Sequence, residues 1–178
     1  MSVLATCRAM APLWVCQHGD LFLYLLPSLA LAALIRILAG ANPVFFLLTL
    51  AGTVTHELMH WLVGLLSGAR PGGFTIIPVK KAGHWELGSV TLMRVRWYNA
   101  APAALAPLLI IFIPFGVAWW RTAPGWHFEV FDILIAFALA PQFLSFWPSA
   151  IDWKIAWRSW PYLIIIGAAV WAAWRGFL

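Results

Sequence analysis

The chain has 178 residues, of which 63% are hydrophobic and 10% are charged, whereas a soluble globular domain carries about 45–50% apolar and about 25% charged residues. This composition excludes an ordinary soluble domain with a single core and favours lipid as the solvent of the chain. The net charge of +5 arises from eleven Lys and Arg residues against six carboxylates, and because the basic residues lie in short stretches between apolar runs, no nucleic-acid partner is expected.

Five apolar segments follow one another along the chain, each close to the ~20 residues that cross a hydrocarbon core of ~30 Å. The sequence therefore predicts an α-helical integral membrane protein with five transmembrane helices in the lipid bilayer. Residues 1–178 are expected to form a single membrane domain. The predicted transmembrane segments are 21–39, 43–66, 100–120, 130–147 and 161–177.

The stretch 70–98, between the second and third segments, has a different composition. Residues 74–79 and 87–95 are β-prone, and the polar residues 80–83 between them are typical of a turn. Pro78 restricts the first of these strands to an edge, because proline has no N–H to donate. We predict a β-hairpin or small sheet at the membrane surface.

Lys and Arg residues are distributed unevenly among the connections between the five segments. With five crossings, eight of them fall on one side of the membrane and three on the other. Short cytoplasmic loops carry an excess of these residues, so the N-terminus, the hairpin and the predicted loop 148–160 are expected in the cytoplasm. The eight are Arg8, Arg70, Lys80, Lys81, Arg94, Arg96, Lys154 and Arg158, and the three are Arg36, Arg121 and Arg175.

The second apolar segment contains the sequence His56-Glu57-Leu58-Met59-His60. On a helix, the two histidines lie on one face, where both imidazoles can bind one Zn²⁺ ion. Zinc lowers the pKa of a bound water towards ~7, and Glu57 lies close enough to accept its proton as the water attacks a carbonyl. Ionisable groups within membrane helices cost roughly 2.5–3.5 kcal/mol, which favours a functional role over a neutral polar network between helices.

A catalytic zinc site needs a third protein ligand and an open position for water. Asp152 is one candidate, because the predicted topology places it on the same side as the catalytic end of the second segment. Glu86 and His84, in the hairpin region, are the alternatives. Spacing alone does not choose among the three, since Asp152 could also be an interfacial carboxylate paired with Lys154 or Arg158.

Three stretches of the chain resemble the site-2 protease family of intramembrane zinc metalloproteases. The first is THELMHWLVGLLSGARP, residues 55–71, which contains the family's first motif. The second is the β-prone insert leading into the small residues and prolines of 99–107. The third is Ser-Phe-Trp-Pro-Ser-Ala-Ile-Asp-Trp, residues 145–153, which is similar to the Asn-x-x-Pro…Asp-Gly segment of the family. Together these stretches fall within residues 43–158 in the family's order.

The resemblance implies a three-helix catalytic core and regulated cleavage of transmembrane protein substrates. It favours Asp152 as the third zinc ligand over the two hairpin residues, and it points to Asn99 and Gln142 as candidates for stabilising the oxyanion. Two positions differ from the family: Ser145 stands in place of Asn, and Trp153 in place of Gly. The spacing from proline to aspartate is also one residue shorter.

The sequence thus predicts a zinc-dependent metalloendopeptidase that acts within or near the bilayer. One alternative is a non-proteolytic membrane protein that uses the metal for structure or metal handling, although such a site has no need of Glu57 as a base. A second is a membrane zinc hydrolase of a non-peptide substrate. A transporter has little support, because the chain shows no repeated halves.

Overall fold

The computed structural model describes residues 18–39, 46–76, 79–81, 84–86, 88–123 and 126–176. This part of the chain is mostly helical, and four short strands lie between its second and third helices. The helices are α1 Gly19–Ala39, α2 Phe46–Leu66, α3 Ala100–Ala104, α4 Phe112–Arg121, α5 Val130–Ser145, α6 Ala150–Ala156 and α7 Trp160–Gly176, with 3₁₀ helices at Ala106–Ile111 and Trp157–Ser159. The helical class and the small sheet agree with the sequence prediction.

Helix α5 lies at the centre of the bundle and packs against both α1 and α2. Leu21 and Leu25 of α1 form a buried apolar cluster with Leu139 of α5. About two to three turns after Leu25, Ala32 and Ile35 of α1 pack on Ala140 in a second cluster. Small side chains at these contacts let the helices approach closely. Helix α5 is therefore packed closely against α1.

The predicted third membrane helix, 100–120, is divided in the structure into α3, a 3₁₀ helix and α4. Its prolines account for the division, because a proline lacks the N–H that would continue the α-helical ladder. Pro107 falls at the start of the 3₁₀ helix. The backbone carbonyl four residues before it, that of Ala103, consequently has no α-helical donor.

The strands form two antiparallel pairs. Strand β1 (Pro71–Thr75) pairs with β4 (Ser89–Leu92), and β2 (Val79–Lys81) pairs with β3 (His84–Glu86). This arrangement is that of the predicted hairpin, although residues 80 and 81, predicted in the turn, belong to a strand. Residues 77–78, 82–83 and 87, which include Pro78, lie outside the described part of the chain.

The predicted loop 148–160 is helical over most of its length, which corrects the sequence interpretation. Pro148 follows the end of α5, and Ser149 caps α6 by accepting a hydrogen bond from the backbone N–H of Asp152 at 3.2 Å. A serine at the N-cap satisfies an N–H group that would otherwise lack a partner, and it therefore starts a new helix directly. The sequence signal for this cap is the pattern Ser-x-x-Asp at residues 149–152.

Two helices among the described residues are long and apolar enough to span a membrane. They are Gly19–Leu38, with a mean hydropathy of 2.2, and the continuous helix Ala150–Gly176, with a mean hydropathy of 1.2. Helix α2 has 21 residues and carries the polar residues of the motif. The apolar helices 106–121 and 130–145 are shorter than a full crossing.

A buried polar network joins α1, α4 and α5 at the start of α5. Arg121 donates two hydrogen bonds to the carboxylate of Asp132, at 2.8 and 3.1 Å, and Tyr24 donates a third at 3.0 Å. The Asp132 side chain is fully buried, so these charge-assisted bonds replace its hydration. The network therefore fixes the end of α5 that lies away from Ser145.

Candidate metal centre

His56 and His60 of α2 and Asp152 of α6 converge on one point. The Nε2 atom of His60 lies 3.2 Å from Nε2 of His56 and 3.2 Å from Oδ1 of Asp152. The Nε2 atom of His56 lies 3.6 Å from Oδ2 of Asp152. One potential ligand atom from each residue lies within 4.8 Å of the others, so the group could hold a metal ion.

The outer nitrogen of each imidazole contacts a backbone carbonyl. Nδ1 of His56 lies 2.6 Å from the carbonyl oxygen of Ser145, and Nδ1 of His60 lies 2.8 Å from that of Ala103. A carbonyl only accepts hydrogen bonds, so each Nδ1 carries the proton and donates it. In the neutral imidazoles both Nε2 atoms then direct lone pairs at the shared point beside the Asp152 carboxylate. Histidines that bind metals in proteins are oriented in this way.

Local breaks in the helices explain why these two carbonyls are available. In a continued α5, the N–H of Ser149 would donate to the carbonyl of Ser145. It donates instead to Oδ2 of Asp152, at 2.6 Å. The carbonyl of Ala103 is available because Pro107, four residues later, has no N–H. The break after α5 thus supplies a partner to His56 and to Asp152 at the same time.

The carboxylate of Asp152 is oriented by the start of α6. It occupies the third position of that helix and forms a reciprocal capping box with Ser149. A negative charge is favoured at this position, since the N–H groups of the first turn point towards it. The carboxylate is thereby held before any metal binds.

A cavity of about 570 Å³ opens beside the three potential ligands. Glu57 and strand β4, through Ser89, Val90 and Leu92, form part of its lining. Gly88, the residue before β4, comes very close to Glu57, because a Cβ atom there would lie 2.8 Å from Cγ of Glu57. Glu57, the three potential ligands and residues of β4 therefore lie around one cavity.

The two residues predicted to stabilise an oxyanion do not line this cavity. Asn99 is buried and bound to backbone groups: its Oδ1 accepts from the N–H of Arg96 at 2.7 Å, and its Nδ2 donates to the carbonyl of Arg94 at 3.1 Å. These bonds fix the connection into α3. Gln142 is buried in α5, and its Oε1 has no hydrogen-bond partner in the described part of the chain.

The alternative third ligands, His84 and Glu86, belong to β3, and their side chains lie outside the described residues. Sequence reasoning missed Ser149 and the carbonyls of Ser145 and Ala103, which orient the three potential ligands. Their signals were Pro148 and Pro107, which interrupt the helices beside them.

The geometry thus shows a group of two imidazoles and a carboxylate that could hold a metal ion, next to an open cavity with a further carboxylate. The convergence involves three separate parts of the chain: α2, the end of α3, and the junction of α5 with α6. Comparisons of the chain with models of protein families, with curated proteins and with solved structures gave no match in any of the three.

Proposed function

We propose that the protein is a zinc-dependent intramembrane metalloendopeptidase that hydrolyses peptide bonds of membrane-spanning proteins. The observation that carries this proposal is the convergence of His56, His60 and Asp152 beside a cavity that Glu57 also lines. The same three residues are those that the resemblance to the site-2 protease family implies as zinc ligands. Their arrangement supports the proposed membership of the chain in that family.

The donor set and the open cavity favour catalytic zinc over a structural metal. Two imidazole nitrogens and one carboxylate oxygen are a ligand combination found in zinc hydrolases. Structural zinc sites are closed by four protein ligands, whereas catalytic sites keep a position for water or substrate. Among the described residues, three potential ligands converge beside an open cavity, which would leave room for water or substrate at a bound ion.

The residues of the chain have distinct roles in the proposed reaction. When bound, zinc supplies Lewis acidity to water and to the scissile carbonyl. Glu57 accepts the proton of the attacking water and transfers it to the amine that leaves. His56, His60 and Asp152 would hold the metal, and their backbone partners set the tautomers of the two imidazoles and the orientation of the carboxylate. Strand β4 presents backbone groups to an extended substrate.

The proposal places this site in a five-crossing membrane protein with its N-terminus and hairpin in the cytoplasm. The two helices of spanning length and composition support a membrane location. Helix α7 adds to this support, because it is apolar over most of its length and buries none of its residues. Such a helix is stable when lipid surrounds it.

The experiment that tests the proposal is co-expression with candidate single-span membrane proteins. The wild-type chain is compared with Glu57→Gln, which removes the base but keeps the shape of the side chain. Glu129→Gln is the matched control, since Glu129 is a half-exposed carboxylate at the far end of α5. Cleavage in the wild type and in the control, with an uncleaved partner retained by Glu57→Gln, is expected.

Equal cleavage by wild type and Glu57→Gln would contradict the proposed mechanism. Release of product from lipid extracts without any protein partner would instead show a hydrolase of a non-peptide substrate. Purified variants should be compared at equal zinc content, so that loss of metal is not mistaken for loss of the base.

A further inference from the structure

Gly52 lies on α2 one helical turn before His56, at the place where α2 contacts α5. A Cβ atom at this position would lie 2.3 Å from the carbonyl oxygen of Pro141 and 2.3 Å from Oγ of Ser145. Real Cβ atoms do not approach other atoms so closely. The backbone of α2 therefore rests directly on α5, and only glycine fits at this contact.

The obstacle is mostly rigid. The carbonyl carbon of Pro141 would itself lie 2.8 Å from the added Cβ, so a backbone segment inside α5 would have to move. Rotation of the Ser145 hydroxyl relieves only one of the short contacts. Helix α5 is also held at its other end by Arg121 and Tyr24. Any side chain at position 52 would thus push α2 and α5 apart.

A hydrogen bond of the metal centre crosses the same interface between α2 and α5. His56, four residues after Gly52, donates from Nδ1 to the carbonyl of Ser145 at 2.6 Å. Residues four apart lie on the same helix face, so the helix separation at Gly52 sets the separation at His56. We propose that Gly52 is a positioning residue of the metal centre, which holds His56 in reach of the Ser145 carbonyl. This inference rests on the metal site of the proposed function and not on its protease activity.

The size of the effect follows from the geometry. Ordinary contact of a methyl carbon needs about 3.4 Å or more, so an added Cβ requires a movement of about 1 Å. A bond of 2.6 Å lengthened by that amount passes the distance at which a hydrogen bond holds. Loss of such an outer partner of a metal-binding histidine costs about 10–100-fold in metal affinity.

The test compares Gly52→Ala with Gly116→Ala in the full-length chain, purified in detergent. Gly116 is also inside a helix, and a Cβ there would meet no atom within 4 Å, so both changes raise helix propensity but only one meets an obstacle. Zinc affinity is measured by competition with a chromogenic chelator. Coordination is read from the visible absorption of the Co²⁺-substituted protein, and thermal unfolding is recorded without metal.

We expect Gly52→Ala to lower zinc affinity about 10–100-fold and to alter the Co²⁺ absorption, while Gly116→Ala matches the wild type. Native zinc affinity and a native Co²⁺ spectrum in Gly52→Ala would overturn the inference. A lower unfolding temperature with unchanged affinity would also overturn it, because Gly52 would then serve packing alone. Absence of zinc from the wild type would instead contradict the proposed metal centre.

A second pair of variants keeps the inference testable if Gly52→Ala does not fold. Ser145→Thr adds a methyl group to the other side of the same contact, whereas Ser145→Ala removes the crowding hydroxyl and keeps the carbonyl that His56 uses. Zinc affinity should fall in Ser145→Thr and stay within a few-fold of wild type in Ser145→Ala. Equal affinity in both variants would count against the role of this contact.

Discussion

The Nε2 atoms of His56 and His60 lie 3.2 Å apart, although the Nδ1 atoms of both rings donate to backbone carbonyls. In the neutral rings neither Nε2 atom then carries a proton, so two lone pairs face each other next to the carboxylate of Asp152. Such an arrangement is stabilised by a cation at the shared point. The pair of histidines therefore leads directly to a prediction about metal content.

The purified wild-type protein should hold about one zinc ion per chain, consistent with a single three-ligand site. The double variant His56→Ala, His60→Ala should lose the metal, because two of the three donors are removed. Glu57→Gln should keep the metal and lose the activity. Elemental analysis by mass spectrometry of the purified proteins measures this directly, and full zinc retention in the double variant would refute the site.

The third ligand is tested by a pair of carboxylate variants. Asp152→Ala should weaken zinc binding strongly and abolish cleavage, because Asp152 lies 3.2 Å from Nε2 of His60. Glu86→Ala should leave most of both. The measurement is zinc affinity by chelator competition, together with cleavage of a co-expressed partner. Loss of metal in Glu86→Ala but not in Asp152→Ala would reassign the ligand.

Strand β4 is expected to present substrate to the site. A peptide bond inside a transmembrane helix is shielded, and unwinding it in lipid leaves backbone groups unsatisfied at several kcal/mol each. A strand edge can supply replacement hydrogen bonds by accepting the substrate as an added strand. Residues of β4 line the cavity beside Glu57, which makes this hairpin the candidate edge.

Proline at Ile76, the residue after β1, or at Val90 of β4 would remove one backbone N–H of the hairpin, so at least one of these variants should reduce cleavage at normal expression and zinc content. Alanine at the same positions keeps the N–H and serves as the matched control. Cleavage is measured with the same co-expressed partner. If both proline variants cleave at the wild-type rate, the hairpin does not present the substrate.

Membrane orientation is predicted from the distribution of basic residues. In a chain with Cys7 and Cys16 replaced by serine, a cysteine at Lys81 should be labelled from the cytoplasm and one at Thr122 from the opposite side. A membrane-impermeant maleimide applied to intact and to opened cells makes the comparison. Reversed labelling would overturn the orientation, and labelling of both from one side would overturn the five crossings.

The polar network at the start of α5 should matter for stability. Asp132→Ala removes the buried carboxylate that accepts hydrogen bonds from Arg121 and Tyr24, and it should lower the free energy of unfolding by more than about 1 kcal/mol, because three such bonds are lost. Tyr24→Phe removes one hydrogen bond and should cost less. Denaturation in mixed micelles measures both. A loss below about 1 kcal/mol in Asp132→Ala would contradict the importance of the pair.

The sequence predicted the potential ligands better than it predicted what holds them. The spacing within the motif places His56 and His60 on one helix face from local geometry alone. The carbonyl partners of these histidines lie 89 and 43 residues away along the chain, so only tertiary packing brings them into reach. Asn99 was predicted near the oxyanion because of its position in the chain, but its amide is engaged by local backbone groups.

Boundaries were predicted least well where prolines interrupt apolar runs. The run 100–120 reads as one helix by composition, and the loop 148–160 as irregular because of Pro148 and its charged residues. In the structure, the run 100–120 is divided by a 3₁₀ helix. Most of 148–160 is helical, because a capping serine can restart a helix directly after a proline. The five crossings stay a prediction, with two helices of sufficient length and hydropathy described.

Helix α7 contributes no residue to the group of potential metal ligands or to their backbone partners. It buries none of its residues, and Tyr162 and Leu163, near its start, contact Trp97 and the small residues of α3. All three potential ligands and their backbone partners precede Trp160. The remaining length of α7 is consequently free to vary in sequence, as long as it stays apolar, without altering the geometry of the site.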